Sequence, residues 1–303
     1  MSHLGGRSVE PGVTLLAHYS PTFNDTTVHA DTVCKADHVA RLLVGHDAWN
    51  VVRPAPASSE ELERVHDDEY VSAVRTGVPE ELAASNGIGW DDSLFAAAAS
   101  STGGIRDAAL HALRRGEHSG ALASGLHHAR AEQGEGFCTF NGLVVAARAA
   151  LDHGATRVLV LDLDAHCGGG TASLIDGVDG IEQVDVSVIG FDWYPSRSDA
   201  RLTMSTAETY LVDVEAALSA IPRPDELDLV LYNAGMDPHE HAGGRSGITT
   251  ATIATREQLV FEWADGAGVP VAFTLAGGYQ STQYDLDGVA ALHLLTFDAA
   301  AAA

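Results

Sequence analysis

Asp162, Asp164 and His166 stand at alternate positions at the end of the apolar run Val158-Leu-Val-Leu161. Every second side chain of an extended strand shares a face, so these three groups are expected to point one way and Leu161, Leu163 and Ala165 the other. Carboxylates set in an apolar strand cost several kcal/mol unless they are paired or bind a metal. Oxygen and imidazole donors two residues apart suit one small divalent cation. Three more polar clusters follow strand-like runs: His127-His128, Asp237 within Asn233-Ala-Gly-Met-Asp-Pro238, and Tyr279 within Gly277-Gly-Tyr. Singly, each has an ordinary reading as a packed histidine pair or a turn. Their joint occurrence after successive strands points to a site.

Residue type then assigns roles. Asp164, His166 and Asp237 are expected to be three protein ligands of one metal with an open position, the donor pattern of catalytic rather than structural zinc. Such a metal activates water and polarises a carbonyl. A histidine that takes a proton and a tyrosine hydroxyl that donates to an oxyanion complete an assembly able to hydrolyse an amide or ester. A two-metal site would need further bridging acids, but Cys167, Gly168, Asn233 and Gly235 stand where these would fall, so one metal is expected. Cys167 reads as a packing residue, because thiolate formation needs a positive environment. His239-Glu240-His241 reads as a solvated loop, with a second metal or a substrate-contacting rim as the sharper alternative.

The elements that must position these groups alternate in type. Strands are predicted at 13–17, 50–53, 120–124, 157–163, 184–189, 227–233 and 269–275, with helices at 58–65, 67–75, 93–114, 139–152, 205–219 and 249–265. Ser58 followed by Glu61 reads as a capping box. This pattern predicts an α/β fold, a single domain over 1–303, with a central, mostly parallel sheet and helices on both faces. Ligands of such sheets bind outside the carboxyl ends of the strands, so clusters far apart in sequence can converge there. The alanine tail at 299–303 reads as frayed.

Composition narrows the class. At 303 residues and 46% hydrophobic content the chain can bury a sizeable core. It holds no apolar run of the roughly 18 residues a membrane span needs. The net charge of −25 argues against sequence-independent nucleic-acid binding. Cys34, Cys138 and Cys167 form no disulfide framework, and residues 1–12 lack the apolar core of a secretory signal, so a cytoplasmic protein with reduced thiols is expected. Lysine occurs once, at Lys35, and the acidic balance could steer cationic substrates. Nothing in the sequence sets the oligomeric state.

Taken together, the motifs resemble the zinc-dependent histone deacetylase family, of arginase/deacetylase fold, over nearly the whole chain. The resemblance is carried by Gly125-Leu-His-His-Ala129, Gly136-Phe-Cys-Thr-Phe-Asn141, Leu161 to Thr171, Asn233 to Pro238 and Gly277-Gly-Tyr279, with Val65-His-Asp-Asp-Glu-Tyr70 upstream. The Asp-Ala-His form, the stretch from Thr249 to Phe261 and the Gly-Gly-Tyr-Gln ending look most like the class IV branch. The resemblance implies one Zn2+ per chain at Asp164, His166 and Asp237. It implies His128 as general base, His127 as an electrostatic or acid partner held by Asp162, and Tyr279 as oxyanion donor. Gly136, Phe137 and Tyr194 would line a narrow channel for an acyl-lysine side chain. A K+ site would use the Asp162 and Ser187 side chains with backbone carbonyls of Asp164, His166 and Val188.

The implied activity is removal of an acyl group, acetyl or longer, from an amine such as the ε-amine of lysine. One departure is chemically pointed. Gly169 stands where the family has an Asp or Asn that bonds the second histidine, so His128 is expected to lack an orienting partner unless another residue supplies it. Pro195-Ser-Arg197-Ser alters the family's glycine-rich loop at the channel rim. Alternatives are an inert acyl-ligand binding protein, which the Gly169 departure would suit, an acylpolyamine deacetylase, and a binuclear ureohydrolase.

Overall fold

Runs of valine, leucine and alanine form the strands β1 (Leu15–His18), β2 (Trp49–Val52), β3 (Ser119–Ala121), β4 (Val158–Asp162), β5 (Ile181–Ser187), β6 (Ala200–Met204), β7 (Leu229–Asn233) and β8 (Val271–Thr274). They pair in parallel throughout, in one eight-stranded sheet of order β2-β1-β3-β8-β7-β4-β5-β6. Helices α1 (Asp31–Leu43), α2 (Ser59–Glu63), α3 (Asp68–Thr76), α4 (Glu80–Ala83), α5 (Leu94–Arg115), α6 (Gly142–Asp152), α7 (Gly169–Ile175), α8 (Tyr210–Ser219), α9 (Thr250–Ala267) and α10 (Leu286–Ala302) supply the crossovers and cover the faces. This computed structural model describes residues 14–25, 31–124 and 126–303. Val13 of the first predicted strand and Gly125 of the double-histidine motif lie outside the described residues.

Every residue of β4, β7 and β8 is buried, as a parallel sheet covered on both sides requires. Leu159, Leu161, Val230 and Tyr232 join the core on one face, and Val158, Val160, Leu229 and Leu231 the core on the other. At the carboxyl end the register sets Thr274, Asn233, Asp162 and Asp185 side by side across β8, β7, β4 and β5. Asn233 Nδ2 donates to Asp162 Oδ1 at 2.9 Å, which fixes the middle of this polar row.

Several expectations change. β4 ends at Asp162, so Asp164 and His166 lie in the bend beyond it rather than on the strand. Leu163 and Ala165 still turn into the core, and His166 makes one parallel bridge to Ile189. β5 begins at Ile181, earlier than predicted, because the inward-facing Gln183 hides the strand pattern. The edge strand β6 and helices α1, α4, α7 and α10 are not among the elements the sequence pattern predicts. α7 opens on Gly169-Gly170, the residue type least suited to a helix after proline. α10 carries the alanine tail, which is not frayed: Ala300 is buried, and Ala301 and Ala303 pack on the core. The capping box holds, with Ser58 Oγ accepting from Glu61 N at 3.2 Å and Glu61 Oε2 from Ser58 N at 2.8 Å. Among the described residues no helix is long and apolar enough to cross a membrane.

Candidate active site

Three neighbouring strands, β4, β7 and β8, release the chain into turns that hold Asp164, Asp237 and Tyr279. Asp164, His166 and Asp237 present donor atoms within 4.8 Å of one another. Backbone amides orient the carboxylates: Gly277 N donates to Asp164 Oδ2 at 2.8 Å, and Ala165 N to Asp237 Oδ1 at 2.9 Å. The turns approach this closely because they lack side chains. A Cβ at Gly277 would fall on Asp237 Oδ2, and one at Gly235 would lie 2.6 Å from Asp164 Oδ2. Asp237 Oδ2 is buried without a hydrogen-bond partner, 3.1 Å from His166 Nδ1. Burial, reinforced by the Asp164 charge, raises the Asp237 pKa. An orphaned carboxylate oxygen beside an imidazole and a second carboxylate fits a divalent cation.

Two buried cations brace these turns from below. The Arg256 guanidinium, on α9, donates to Leu163 O at 3.0 Å and Gly235 O at 2.7 Å, tying together the turns of Asp164 and Asp237. Its charge is met by Glu257 at 2.8 Å, which also accepts from Tyr232 Oη at 3.0 Å. Lys35, on α1, donates to Ala276 O and, at 3.4 Å, to Gly278 O, beneath the turn of Tyr279. Ser124 Oγ donates to the same Ala276 carbonyl at 2.6 Å. Tyr279 N bonds Ala242 O at 2.9 Å, and Gly243 lies against both the Tyr279 ring and Asp237 Cβ. Neither brace was foreseen, although a chain with one lysine that buries it completely offers a signal.

His127 and His128 pack against each other with ring centroids 3.8 Å apart and planes tilted by 40°. Asn141 Nδ2 holds their turn through Ala129 O at 3.2 Å, and Thr171 N through His127 O at 2.9 Å. His66 accepts from Asn141 N at 2.9 Å and bonds Arg130 O at 2.7 Å, which accounts for its place in the upstream motif. His127 Nδ1 meets Asp162 Oδ2 at 2.8 Å, as expected. His128 is not left without a partner: its Nδ1 meets Asp192 Oδ2 at 3.0 Å. Their environments drive the two imidazoles apart. Burial lowers the His127 pKa, but the charges of Asp162 and Asp164 outweigh it and hold it at about 10. Burial and the neighbouring positive His127 push His128 down to about 4.

Gly136, with φ +54°, nests against His128 and Phe191, and Phe137 follows it at φ +67°, 45% exposed. The second aromatic at the site is Phe191, edge-on to His128 at 4.9 Å and 44% exposed. Tyr194 is therefore not a channel wall. The turn at Asp192, φ +58°, sends Phe191 outward, whereas Tyr194 is buried in the core beside Cys167 and Ala172. Cys167 packs as expected, its thiol pushed up to about 12 by burial. In the expected cation site, Ser187 Oγ donates to His166 O at 3.1 Å and bonds Asp185, while Arg245 Nε donates to Val188 O at 3.2 Å. His239 is buried rather than solvated, engaging Thr250 Oγ1 at 3.1 Å and His241 N at 3.0 Å, so both ring nitrogens are committed.

A parallel sheet of this order, with its acid- and histidine-bearing turns at the carboxyl edge, is the arginase/deacetylase fold. A solved structure of acetylpolyamine aminohydrolase from Burkholderia pseudomallei superposes with a TM-score of 0.77 at 19% identity, covering 95% of this chain and 99% of that one. The histone deacetylase domain matches residues 29–294, and the chain belongs to that family, a family of amide deacetylases. An uncharacterized protein of Picosynechococcus sp. is 34% identical over 241 residues, 74% of this chain and 77% of its own length. Human histone deacetylase 1 is 30% identical over 257 residues, 76% of this chain, but the match spans only 52% of the human protein. With the acetoin utilization protein AcuC of Bacillus subtilis the identity is 32% over 50% of this chain and 43% of that one.

Proposed function

We propose that this chain is a mononuclear, zinc-dependent deacylase that hydrolyses the amide between an acyl group and a primary amine, with acyl-lysine as substrate. Asp164, His166 and Asp237 would hold the cation, and the orphaned Asp237 Oδ2 is the observation that carries the reading. When bound, the cation supplies Lewis acidity toward water and the acyl carbonyl. His128, neutral at pH 7, accepts the proton of the attacking water. His127, kept cationic by Asp162, supplies positive charge and a proton for the departing amine. The C–N bond breaks, the acyl group leaves as a carboxylate, and the Tyr279 hydroxyl donates to the intervening oxyanion. Phe137 and Phe191 flank the aliphatic stem of the substrate.

Acylated polyamines form a second substrate class, favoured by the net charge of −25, which attracts cationic amines. The test is turnover on acyl-lysine peptides of graded chain length and on acetylpolyamines, with metal content measured alongside. Hydrolysis that disappears in Tyr279→Phe supports the reading. Protein carrying one metal per chain yet inert to the whole panel would favour an acyl-binding role, and two metals per chain a ureohydrolase.

A further inference from the structure

Asp192 belongs to none of the motifs that pointed to the site, yet it occupies a built position in it. We propose that Asp192 is the positioning residue of His128, fixing the imidazole with its proton on Nδ1 so that Nε2 is free to accept one. The proposal rests on His128 acting as the base.

The geometry is specific. Asp192 Oδ2 lies 3.0 Å from His128 Nδ1, and the carboxylate is 1% exposed. A carboxylate only accepts, so the ring must present Nδ1–H to it. The same oxygen accepts from Gly170 N at 2.9 Å, and the other is bonded by the Arg130 guanidinium. Arg130 is in turn fixed by Glu135 at 3.1 Å and by Gly169 O at 3.3 Å. Two donors, Gly170 N and the Arg130 guanidinium, therefore aim one buried carboxylate at one imidazole nitrogen.

Gly169 is part of this device. A Cβ there would fall on both Asp192 Oδ1 and the Asp192 carbonyl oxygen, so glycine at the head of α7 makes room for an acid delivered from the loop after β5. Asp192 holds a left-handed backbone, φ +58°, which a non-glycine residue adopts only where its surroundings enforce it. Gly169 is thus not a lost orienting group; the carboxylate reaches His128 from another part of the chain.

An ion pair that merely stapled the loop to Arg130 would have no bearing on the imidazole tautomer, and this separates the two roles. The experiment compares the metal-loaded parent with Asp192→Asn and Asp192→Ala by steady-state kinetics and by 15N NMR of the histidine rings. The expected result is a kcat at least about tenfold lower in both variants with KM within about threefold, as for loss of an orienting acid. Metal content should stay at the parent level, and the His128 Nδ1–H signature should be lost in Asp192→Ala. Folded variants that keep kcat within about threefold of the parent and retain that signature would overturn the proposal. Should Asp192→Ala fail to fold, the isosteric Asp192→Asn decides by kcat alone, a value within about threefold of the parent overturning the proposal. If the parent hydrolyses no substrate, the deacylase reading fails, and the ring signature alone still decides whether Asp192 sets the His128 tautomer.

Discussion

The two adjacent histidines make the same kind of hydrogen bond to carboxylates of different origin. Asp162 sits at the end of β4, in register with Asn233 and Asp185 on the neighbouring strands, and is completely buried. Asp192 comes from a loop, at a left-handed φ, and reaches His128 only because residue 169 lacks a side chain. A sheet fixes its end residues through many parallel backbone bonds, whereas a loop must be fixed by individual donors. The His127 pair is therefore part of the fold, and the His128 pair is a local construction resting on it. The two shifts run in opposite directions, favouring a cationic ring beside a neutral one.

The most direct way to break this arrangement is to remove what both histidines serve. Under the proposed function, His166→Ala or Asp237→Asn is expected to abolish metal binding and lower turnover by at least about 10³-fold, the scale of several kcal/mol of transition-state stabilisation. Metal analysis and the acyl-lysine assay check it together. A metal-depleted variant that kept parental turnover would remove the common object of the two pairs. Tyr279→Phe should retain the metal and lose about 10²- to 10³-fold in kcat, as for removal of one oxyanion donor. It leaves both histidine pairs untouched, so a change in their ring signals would show that the site is coupled more widely than the two bonds imply.

The difference between the pairs also explains what was legible in the sequence. Asp162 could be read from the alternation that follows Val158 to Leu161, and parallel strands β4, β7 and β8 bring Asp164, Asp237 and Tyr279 together at one edge, as a parallel α/β pattern requires. Asp192, Phe191, Lys35 and Arg256 could not be read this way. Asp192 and Phe191 depend on a backbone turn that no periodicity encodes, which also misassigned Tyr194 to the channel. Lys35 and Arg256 lie on helices, and only the tertiary packing decides that their charged ends reach the carbonyls of Ala276, Leu163 and Gly235. The tail of α10 read as frayed because an alanine run shows no amphipathic pattern, although its burial comes from packing against the core.

Stability sharpens the comparison at smaller scale. Asp162→Asn removes the nearer of the two carboxylates facing the buried His127 ring, at 2.8 Å against 3.6 Å for Asp164, and breaking such a pair typically costs about 3–5 kcal/mol. Asp192→Asn keeps an acceptor near His128 and leaves the sheet intact but removes the charge that the partly exposed Arg130 pairs with, so a smaller loss of about 1–3 kcal/mol is expected. Urea midpoints of the two variants, with unchanged slopes, would separate them. Equal destabilisation would mean that the loop-borne pair is as structural as the strand-borne one.

The subtlest expected effect is the opposite pH dependence of the two sides. His128, His66 and His18 have folded-state pKa values lowered from 6.5 to about 4, chiefly by burial. Between those values the unfolded chain binds more protons than the folded one, so stability is lost as pH falls from 6.5 toward 4. His127 behaves in reverse, with a folded value raised from 6.5 to about 10. Its contribution is complete below 6.5 and disappears as pH rises toward 10, because there the folded state holds the extra proton. Urea midpoints measured across this range should pass through a maximum. Asp162→Asn removes one of the two carboxylates that raise His127 and should make the alkaline limb shallower. The remainder is carried by His166, which, against the opposing effect of burial, Asp164 and Asp237 raise to about 11. The acid limb, which His66 and His18 still carry, should be left unchanged. An alkaline limb as steep in that variant as in the parent would mean that Asp162 does not keep His127 charged.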